Sequence, residues 1–532
     1  MDLTGWASDV RQTECAFKKL FQLKRRGFAV GLALSPDYLK QVSSSEGQVV
    51  LGVYYIELLK HRRLSPAPTA PPTSFSTHPT RDSDCQIKCD SCVVPPSFNA
   101  SPPTKNSRTT PPSPSHLHRM SSSGSTSPIT KAEVLAHQVR RTSCSACHGS
   151  KFTVCEPHVA LPYPLIPNCV GPEQPRSADV TAPFTIATCD DCGLIFVQDF
   201  INPELLYKAF HNDAVGALWE EHYGAFAALI AAHWDSRPKG IDSRLAEVGA
   251  GQGKLARHLL RLCGGALEVI DPQYTGPAEG VVVHPHLFGV DATAGLDGKL
   301  DGLVSSHTLE HFVDFSDYFA AARRVLKPGG LLFTSVPNQE YGFAKAHGSM
   351  LSFEHPSACT NLHWVGLHSR FGFAVREVRL FHEHSIMIAC EMLAAPVAPF
   401  VVDARGITHA LVRDYSRAVE LRTQSILAAA DSEKTNWLFG AHNNAQVIFM
   451  YGGALMETLF EGLLDNSPLK QGKRLYGTGL IVRKPSDVLG PSAPPSAPGA
   501  KPLRIFVNIG MYNAEVCRQL RLLDAAVELH VL

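Results

Sequence analysis

A run of alternate glycines constrains the fold of this chain more than any other feature. These glycines are Gly249, Gly251 and Gly253. They follow a predicted strand that starts near Arg244 and precede a predicted helix over residues 255–262, after which the predicted strand Leu267–Ile270 ends at Asp271. Such glycines let the backbone pass under a ligand without Cβ clashes, and an acidic residue about 20 positions on can accept from ribose hydroxyls. The pattern predicts a ligand-binding strand–loop–helix turn, with a purely structural tight turn as the alternative.

The residues downstream predict the alternation of a parallel sheet. Residues 301–306 form an apolar strand that enters a loop at His307, and an amphipathic helix is predicted from Leu309 through Val325. A turn with the sequence Lys-Pro-Gly-Gly then precedes a buried strand over Leu331–Val336. Strand, helix and strand in this order predict an α/β, doubly wound fold in which ligands bind at the carboxyl ends of the strands.

The glycine spacing indicates which ligand this fold binds. It is G-x-G-x-G with Glu247 ahead of it, whereas a dinucleotide site favours G-x-G-x-x-G. The segment resembles the S-adenosylmethionine (SAM) site of class I methyltransferases. The order Asp-Gly-Leu-Val, Leu-Glu-His and Leu-Lys-Pro-Gly-Gly-Leu-Leu resembles the Rossmann-like core of the same family. The cofactor-binding residues that we predict are Glu247 and, at the carboxyl ends of strands, Gly249, Gly251, Gly253, Asp271, Asp291 and Ser306.

Length indicates the number of folded units in this chain, and charge limits the kinds of molecule that it binds. A chain of 532 residues exceeds a single core, and three folded units are expected. The 49 basic residues balance the 49 acidic ones, which argues against a nucleic-acid partner because such proteins usually carry a basic face. We find neither a signal peptide over residues 1–20 nor an apolar run long enough to span a membrane. We therefore expect a cytoplasmic protein that acts on a small molecule.

The first part of the chain contains little that can be interpreted. Residues 1–60 are left unassigned, and residues 61–140 are predicted to be a disordered linker rich in Ser, Thr and Pro. Three linker cysteines, Cys85, Cys89 and Cys92, are expected to be solvated thiols. Met120 is either an alternative translation start or an ordinary internal methionine.

Two C-x-x-C pairs form the second strong signal. Their cysteines are Cys144, Cys147, Cys189 and Cys192. Each pair can present two thiolates from one tight turn, so together they predict a closed, structural zinc site. Cys155, Cys169 and His148 are rival ligands, and the alternative is buried thiols or redox pairs.

Cysteine pairs ahead of a SAM-binding core indicate a particular family of methyltransferases. The stretches 189–198 and 202–207 resemble the zinc-binding domain of the sugar C-methyltransferases, and residues 464–478 resemble the family's C-terminal signature. The resemblance implies a zinc-binding domain over 141–205, a methyltransferase domain over 206–395 and a C-terminal domain over 396–532. It also implies methylation of a carbon next to a ketone in a nucleotide-linked sugar.

The C-terminal region has a pattern of its own. Trp437–Gly440 is predicted to be a strand, Ala441–Asn444 a polar loop, the residues up to Met456 a helix, and Leu459–Leu464 a strand capped by Asp465. This order predicts a second βαβ unit of the nucleotide-binding kind, in a C-terminal α/β domain. A purely structural lid is the alternative, since the loop contains one glycine.

C-methylation next to a ketone needs a base that removes the α-proton. Glu354 and His355 match the Glu-His pair to which the family assigns this step, and the alternatives are that His355 caps a helix or that Glu354 is solvated. His307, Glu310 and His311 are further polar candidates. Phe210–Asn212 and Pro356–Cys359 stand where the family has tyrosines, although Tyr207 remains. A substrate other than a deoxysugar nucleotide is therefore an alternative.

The sequence thus predicts a SAM-dependent methyltransferase, with C-methylation of a nucleotide-linked keto sugar as the leading activity. The alternatives are O- or N-methylation of another small molecule, and a catalytically silent scaffold that binds SAM and zinc.

Overall fold

A computed structural model describes the chain from residue 129 onward. The described residues are 129–155, 161–166, 168–202, 205–206, 216–235, 243–262, 266–291, 293, 295–394, 402–430, 433–490 and 501–532. The predictions for residues 1–128, including the linker cysteines and Met120, lie outside this range, as do those for Tyr207 and Phe210–Asn212. Among the described helices, none is long and apolar enough to cross a membrane.

The first described region consists of one helix and eight short strands. They are α1 (Lys131–His137), β1 (Gln138–Arg140), β2 (Phe152–Val154), β3 (Leu161–Pro164), β4 (Cys169–Val170), β5 (Thr181–Phe184), β6 (Ile186–Cys189), β7 (Ile195–Val197) and β8 (Asp199–Ile201). Strand β6 pairs antiparallel with both β2 and β7, so the second cysteine pair begins at the end of a central strand.

The predicted disordered linker extends too far. Residues 131–140 form α1 and β1, whereas the linker was predicted to continue to residue 140. Thr130 and Glu133 cap α1 reciprocally, Val134 is buried, and β1 pairs antiparallel with β8. A capping box and a pairing strand supply order that composition alone does not reveal.

The central region contains a seven-stranded sheet with helices around it. Its elements are α2 (Ala217–Trp234), β9 (Leu245–Val248), α3 (Ala256–Leu262), β10 (Leu267–Ile270), β11 (Val281–His284), β12 (Leu300–Ser306), α4 (Phe315–Val325), β13 (Leu326–Pro337), α5 (Gln339–Ala344), β14 (Ser357–Ala358), α6 (Asn361–Arg370), β15 (Phe373–Phe381) and β16 (Ser385–Met392). The strand order is β11-β10-β9-β12-β13-β16-β15. Only β16 runs antiparallel to its neighbours, so the predicted doubly wound topology is confirmed.

The predicted helix from Leu309 to Val325 is wrong at its start. Leu309–His311 is a single 3-10 turn, and α4 begins only at Phe315. Asp314 terminates the turn and starts the helix, because its side chain accepts from the Ser316 amide and caps the first turn. The Leu-Glu-His segment is thereby held in a loop at the carboxyl edge of the sheet.

The C-terminal region forms a second, all-parallel sheet. Its elements are α7 (Arg405–Ala429), β17 (Thr435–Phe439), α8 (Asn443–Thr458), β18 (Gly462–Leu464), β19 (Arg474–Leu475), β20 (Val482–Arg483), β21 (Leu503–Val507), α9 (Asn513–Leu523) and β22 (Glu528–Val531). The five-stranded order is β20-β18-β17-β21-β22. Strands β17 and β18 flank α8 and pair in parallel, as predicted for this βαβ unit.

The first region pairs with one strand from each of the other two regions. Strand β14 of the central region pairs with β7, and β19 of the C-terminal region pairs with β4. Arg474 and Asp179 form a buried ion pair with a nitrogen–oxygen distance of 2.6 Å, and both side chains are at most 6% exposed. These pairings bind the three regions into one unit, whose domain boundaries remain predictions.

Candidate active site and cysteine cluster

The glycine loop occupies the carboxyl end of β9, as predicted. Gly249, Gly251 and Gly253 have φ angles of 69°, 51° and 67°, a region that side chains other than glycine rarely adopt. A Cβ at Gly249 would lie 2.4 Å from Thr308 Oγ1, and one at Gly253 would lie 2.8 Å from the Gly276 backbone. The loop therefore requires glycine both for its conformation and for close packing.

Two buried carboxylates border this loop. Glu247 in β9 is 2% exposed, and one of its oxygens has no hydrogen-bond partner in the part of the chain described. Burial, with a smaller contribution from Asp271, raises the pKa of Glu247 to about 8. Asp271 follows β10 and accepts from the backbone amides of Gly251 and Gln273, both at 2.7 Å. Asp271 thus shapes the loop, and its predicted contact with ribose remains a prediction.

The other two predicted cofactor residues differ in position. Ser306 ends β12, and its buried hydroxyl has no partner among the described residues. Asp291 was expected at a strand end, but this is wrong because β11 ends at His284, seven residues earlier. Asp291 is exposed in a loop held along α4, where the Val290 amide donates to Asp317. Sequence reasoning placed Asp291 at a strand end without identifying a strand that ends there.

A compact group of titratable side chains lies after β12. We call Glu310, His311, Glu354 and His355 the acid–base cluster. One potential ligand atom from each of Glu310, His311 and His355 lies within 4.8 Å of the others. The His311 and His355 ring centroids are 4.6 Å apart, and His311 Nδ1 lies 4.0 Å from a Glu354 carboxylate oxygen. The structure therefore brings the predicted pair together with the Leu-Glu-His loop.

Burial adjusts the acidity of this cluster. Glu310 is 1% exposed, and burial raises its pKa to about 7. A carboxyl group with such a pKa can hold or release a proton near neutral pH. The predicted alternative that His355 caps a helix is wrong, because its amide donates to Ser352 Oγ and the next helix begins at Asn361.

The acid–base cluster is connected to the glycine loop by two consecutive residues. His307 adopts a left-handed backbone with a φ of 50°, and its Nδ1 lies 3.4 Å from Glu310. Thr308 donates to the carbonyl of Val248, at the start of the glycine loop. The predicted cofactor loop and the predicted base therefore lie on either side of a short loop, at one edge of the sheet.

Sequence reasoning missed a second histidine group. His222 and His384 converge with His307, with one ring nitrogen of each within 4.8 Å of the others. His222 lies in α2 and His384 precedes β16, so the group draws on residues up to 162 positions apart. No spacing rule in the sequence signals this convergence.

The four predicted cysteines form a cluster of their own. Their sulfur atoms all lie within 4.8 Å of one another, with 3.6 Å between Cys144 and Cys192 and 3.4 Å between Cys147 and Cys189. Tetrahedral zinc–sulfur bonds of about 2.3 Å place sulfur atoms about 3.8 Å apart, so the geometry fits zinc. The rival ligand Cys169 points to the Ala441 carbonyl, and neither Cys155 nor His148 joins the cluster.

Comparison with a family of known sequences identifies the central region. The family described as "Methyltransferase domain" matches residues 218–378, which contain the glycine loop and the acid–base cluster. This chain contains a class I SAM-dependent methyltransferase domain. The methyltransferase domain includes α2, which precedes the first strand of the sheet and contributes His222 to the site.

Individual relatives of the methyltransferase domain are distant. The ubiquinone biosynthesis O-methyltransferase of Methylocella silvestris is 26% identical over 104 residues, covering 18% of this chain and 40% of that protein. The chain thus spans less than half the length of this relative.

Two solved structures are also similar to the chain. A SAM-dependent methyltransferase from Mesorhizobium loti has 16% identity and a TM-score of 0.25, covering 33% of this chain and 98% of that one. The geranyl diphosphate C-methyltransferase from Streptomyces coelicolor has 14% identity and a TM-score of 0.25, covering 34% and 86%.

Proposed function

We propose that this protein is a SAM-dependent methyltransferase that methylates a carbon next to a carbonyl group of a small molecule. A nucleotide-linked keto sugar is the leading class of acceptor. The observation that carries the proposal is the acid–base cluster, which joins Glu354 and His355 to Glu310 and His311 beside the glycine loop. Methylation of a carbon next to a carbonyl requires removal of the α-proton, and this cluster offers groups suited to that task.

The residues around the glycine loop are suited to hold SAM. When bound, SAM supplies a methyl group that its sulfonium already activates for transfer. The loop glycines leave the backbone accessible, and the unpartnered oxygen of Glu247 is an acceptor for a ribose hydroxyl. The hydroxyl of Ser306 supplies a further unpartnered polar atom at the same edge. Glu247 and Ser306 therefore fit the polar part of this cofactor.

His355 is the base that we assign. Its imidazole would accept the α-proton while the C–H electron pair moves onto the carbonyl oxygen as an enolate. Glu310, with a pKa of about 7, can take up or return a proton within the cluster. Glu354 lies beside His311 and would position the rings. The enolate carbon would take up the methyl group, whose bond to sulfur would break, so no further reactant would be needed.

We also propose that Cys144, Cys147, Cys189 and Cys192 hold a structural zinc ion. All but Cys147 are buried, and the amide donors of Ala146 and Gly149 reach two of the sulfur atoms at 3.4 Å. Such a site has no open position for a substrate. Structural zinc contributes to folding energy, so Cys189→Ser should lose both zinc and solubility. Elemental analysis measures the zinc content, and the yield of soluble protein gives the solubility. Folded, zinc-free wild type would contradict this proposal.

Deuterium exchange tests the base directly. Purified full-length protein is incubated in heavy water with nucleotide-linked keto sugars, without SAM, and deuterium at the α-carbon is measured by mass spectrometry. We expect exchange in the wild type and its loss in His355→Asn, together with a fall of about 10²–10⁴-fold in methyl transfer. Glu354→Gln should be impaired less. His233→Gln, a change in a histidine of α2 that pairs with Glu377, is the control.

The relative in Methylocella silvestris favours a second candidate, transfer to a hydroxyl oxygen, for which the same base would remove the hydroxyl proton. Methyl transfer without exchange at carbon would support this candidate and exclude carbon methylation. Exchange that persists in His355→Asn would move the base role to His307 or His311. Methyl transfer to any acceptor would exclude a silent scaffold.

A further inference from the structure

Three histidines of the methyltransferase domain form a nearly equilateral triangle. The ring centroids of His222 and His307 are 5.2 Å apart, those of His222 and His384 are 5.2 Å apart, and those of His307 and His384 are 5.3 Å apart. Tetrahedral zinc–nitrogen bonds of about 2.1 Å place ligand nitrogens about 3.4 Å apart. Small rotations of the rings would bring nitrogens that already lie within 4.8 Å to that separation.

Each ring is oriented by a neighbouring polar group. Ser335 Oγ lies 2.8 Å from His222 Nε2, and Ser385 Oγ lies 2.9 Å from His307 Nε2 and also contacts His384 Nδ1. Histidine ligands in metal sites are commonly fixed in this way by hydroxyls and carboxylates around them. Glu310 lies 3.4 Å from His307 Nδ1, so His307 would give up either this contact or its contact with Ser385 on binding an ion.

One nitrogen of this triangle lacks a partner. His222 is fully buried, and its Nδ1 makes no hydrogen bond within the described part of the chain. A core histidine that serves packing alone normally satisfies both nitrogens, because an unpaired buried polar atom costs about 1–3 kcal/mol. The orphaned nitrogen is therefore an independent sign that the triangle has a ligand.

The surroundings keep the imidazoles neutral. His222 is fully buried, His384 is 7% exposed and the His307 side chain is 17% exposed, and burial disfavours the charged imidazolium. The edge of Trp219 packs on His307 and His384, with centroid distances of 4.7 and 4.4 Å. Neutral imidazole is the form that binds metal ions, and an all-imidazole set suits zinc and related transition metals.

We propose that His222, His307 and His384 bind one divalent transition-metal ion, zinc in the first instance. Three protein ligands leave a fourth position open, as in catalytic zinc sites. His307 contacts Glu310, which places the triangle beside the acid–base cluster. The role that we infer for the ion rests on the proposed function. The ion would polarise the carbonyl oxygen of the acceptor while His355 removes the α-proton.

Metal content tests the site without reference to methyl transfer. Full-length wild type, dialysed against buffered zinc, should contain two zinc ions per chain, one in each proposed site. His307→Asn should contain one, and asparagine tolerates the left-handed backbone at this position. His384→Gln should also contain one. The matched control is His382→Asn, another histidine with positive φ, 48°, that lies outside the triangle and should retain two ions.

Cobalt distinguishes the two sites by their ligands. Cobalt bound by cysteine thiolates shows intense charge-transfer absorption, which cobalt bound by imidazoles lacks. We expect a second cobalt equivalent without thiolate absorption, weakened more than about 100-fold in His307→Asn, since loss of outer-shell partners alone costs about 10–100-fold. One metal ion per wild-type chain, or a second ion that persists in both histidine variants, would overturn the proposal.

The two proposals fail in different ways. A second ion that is lost in the histidine variants, in a protein that methylates nothing, leaves the metal site standing and removes the proposed function. Methyl transfer by a wild type that contains only the cysteine-bound ion would support the proposed function and remove the histidine metal site. Circular dichroism and SAM binding of each variant confirm that the fold is retained.

Discussion

The seven-stranded and five-stranded sheets of this protein share a parallel strand–loop–helix arrangement and differ in what lies at their carboxyl edges. In the methyltransferase sheet, the loop after β9 has three glycines with positive φ, and the neighbouring Glu247 has an oxygen without a partner in the described structure. In the C-terminal sheet, the loop after β17 has one glycine, Gly440, and Asp465 accepts from the Ala441 amide at 3.0 Å.

The edge of the C-terminal sheet is covered by the chain itself. Asn444 at the start of α8 accepts from the Gly348 amide, a residue of the methyltransferase domain. A Cβ at Gly510, after β21, would lie 2.3 Å from His347 Nε2. The segment after α5 thus packs where a nucleotide would bind in a sheet of this kind. The contacts support the structural alternative for the second βαβ unit.

The comparison shows that topology alone does not assign a ligand. Both sheets present a strand, a loop and a helix N-terminus in the same arrangement. The two edges differ in the number of loop glycines and in the contact that the segment after α5 makes with the C-terminal edge. These features distinguish an edge that is suited to a cofactor from an edge that joins two regions.

The largest effect expected from this comparison concerns the glycines. Gly251→Val should weaken SAM binding by more than about 100-fold, because a branched side chain is strained at a φ of 51° and projects toward the ligand. Gly440→Ala, whose Cβ would lie 2.4 Å from Ile509 Cγ2, should lower thermal stability and leave SAM affinity unchanged. Calorimetry and thermal unfolding measure both. Equal losses of SAM affinity would mean that both edges contribute to one site.

The acidic residues beside the two loops, Asp271 and Asp465, should also differ in their effect on SAM affinity. Asp271→Ala should weaken SAM binding by about 1–3 kcal/mol through loss of a charged acceptor and of the loop contacts it makes. Asp271→Asn should show a smaller loss, because the amide oxygen still accepts. Asp465→Ala should reduce stability without changing SAM affinity. Wild-type affinity in Asp271→Ala, measured by calorimetry, would remove this residue from the cofactor site.

Glu247 should make stability depend on pH. Its pKa rises from 4.5 to about 8 on folding, so between these values the folded protein holds a proton that the unfolded chain releases. Stability from this group therefore falls as pH rises from about 4.5 to 8. Glu247→Gln should stabilise the cofactor-free protein by roughly 1–3 kcal/mol at pH 8 and by less at pH 5.

Glu268 provides the control for this measurement. It is also buried in the sheet but contacts Arg244 and lies 2.9 Å from His284. Glu268→Gln should therefore destabilise the protein at both pH values in urea unfolding. A Glu247→Gln variant that behaves like Glu268→Gln would show that Glu247 has a partner in solution.

The smallest expected effect on stability concerns the carboxyl edge of the C-terminal sheet, which the segment after α5 covers. Asn444→Ala should cost about 1 kcal/mol, the typical net value of one hydrogen bond, with no change in SAM affinity. Asn466→Ala removes an exposed amide contact with Gln519 and should cost less. If Asn444→Ala instead changed SAM affinity, the segment after α5 would couple the two edges. Chemical unfolding and calorimetry give both quantities.

Local patterns allowed much of the methyltransferase fold to be predicted. The strand Leu267–Ile270 has the predicted bounds, and the glycine loop and cysteine pairs lie where their spacing indicated. These features depend on residues that are close in sequence, where backbone geometry and ligand spacing are nearly fixed. Errors arose where local signals compete, as at Asp314, or where a residue was assigned to a strand end that had not been identified, as at Asp291.

The sequence by itself therefore determined the doubly wound core, the cysteine pairs and the Glu-His motif of this protein. Tertiary structure alone decided that His307 would join His222 and His384, and that Glu354 would lie beside His311. It also decided that the chain would cover the edge of its second sheet. The physical reason is that side chains from distant segments converge only after strands and helices have packed, and no short-range spacing records which of them will meet.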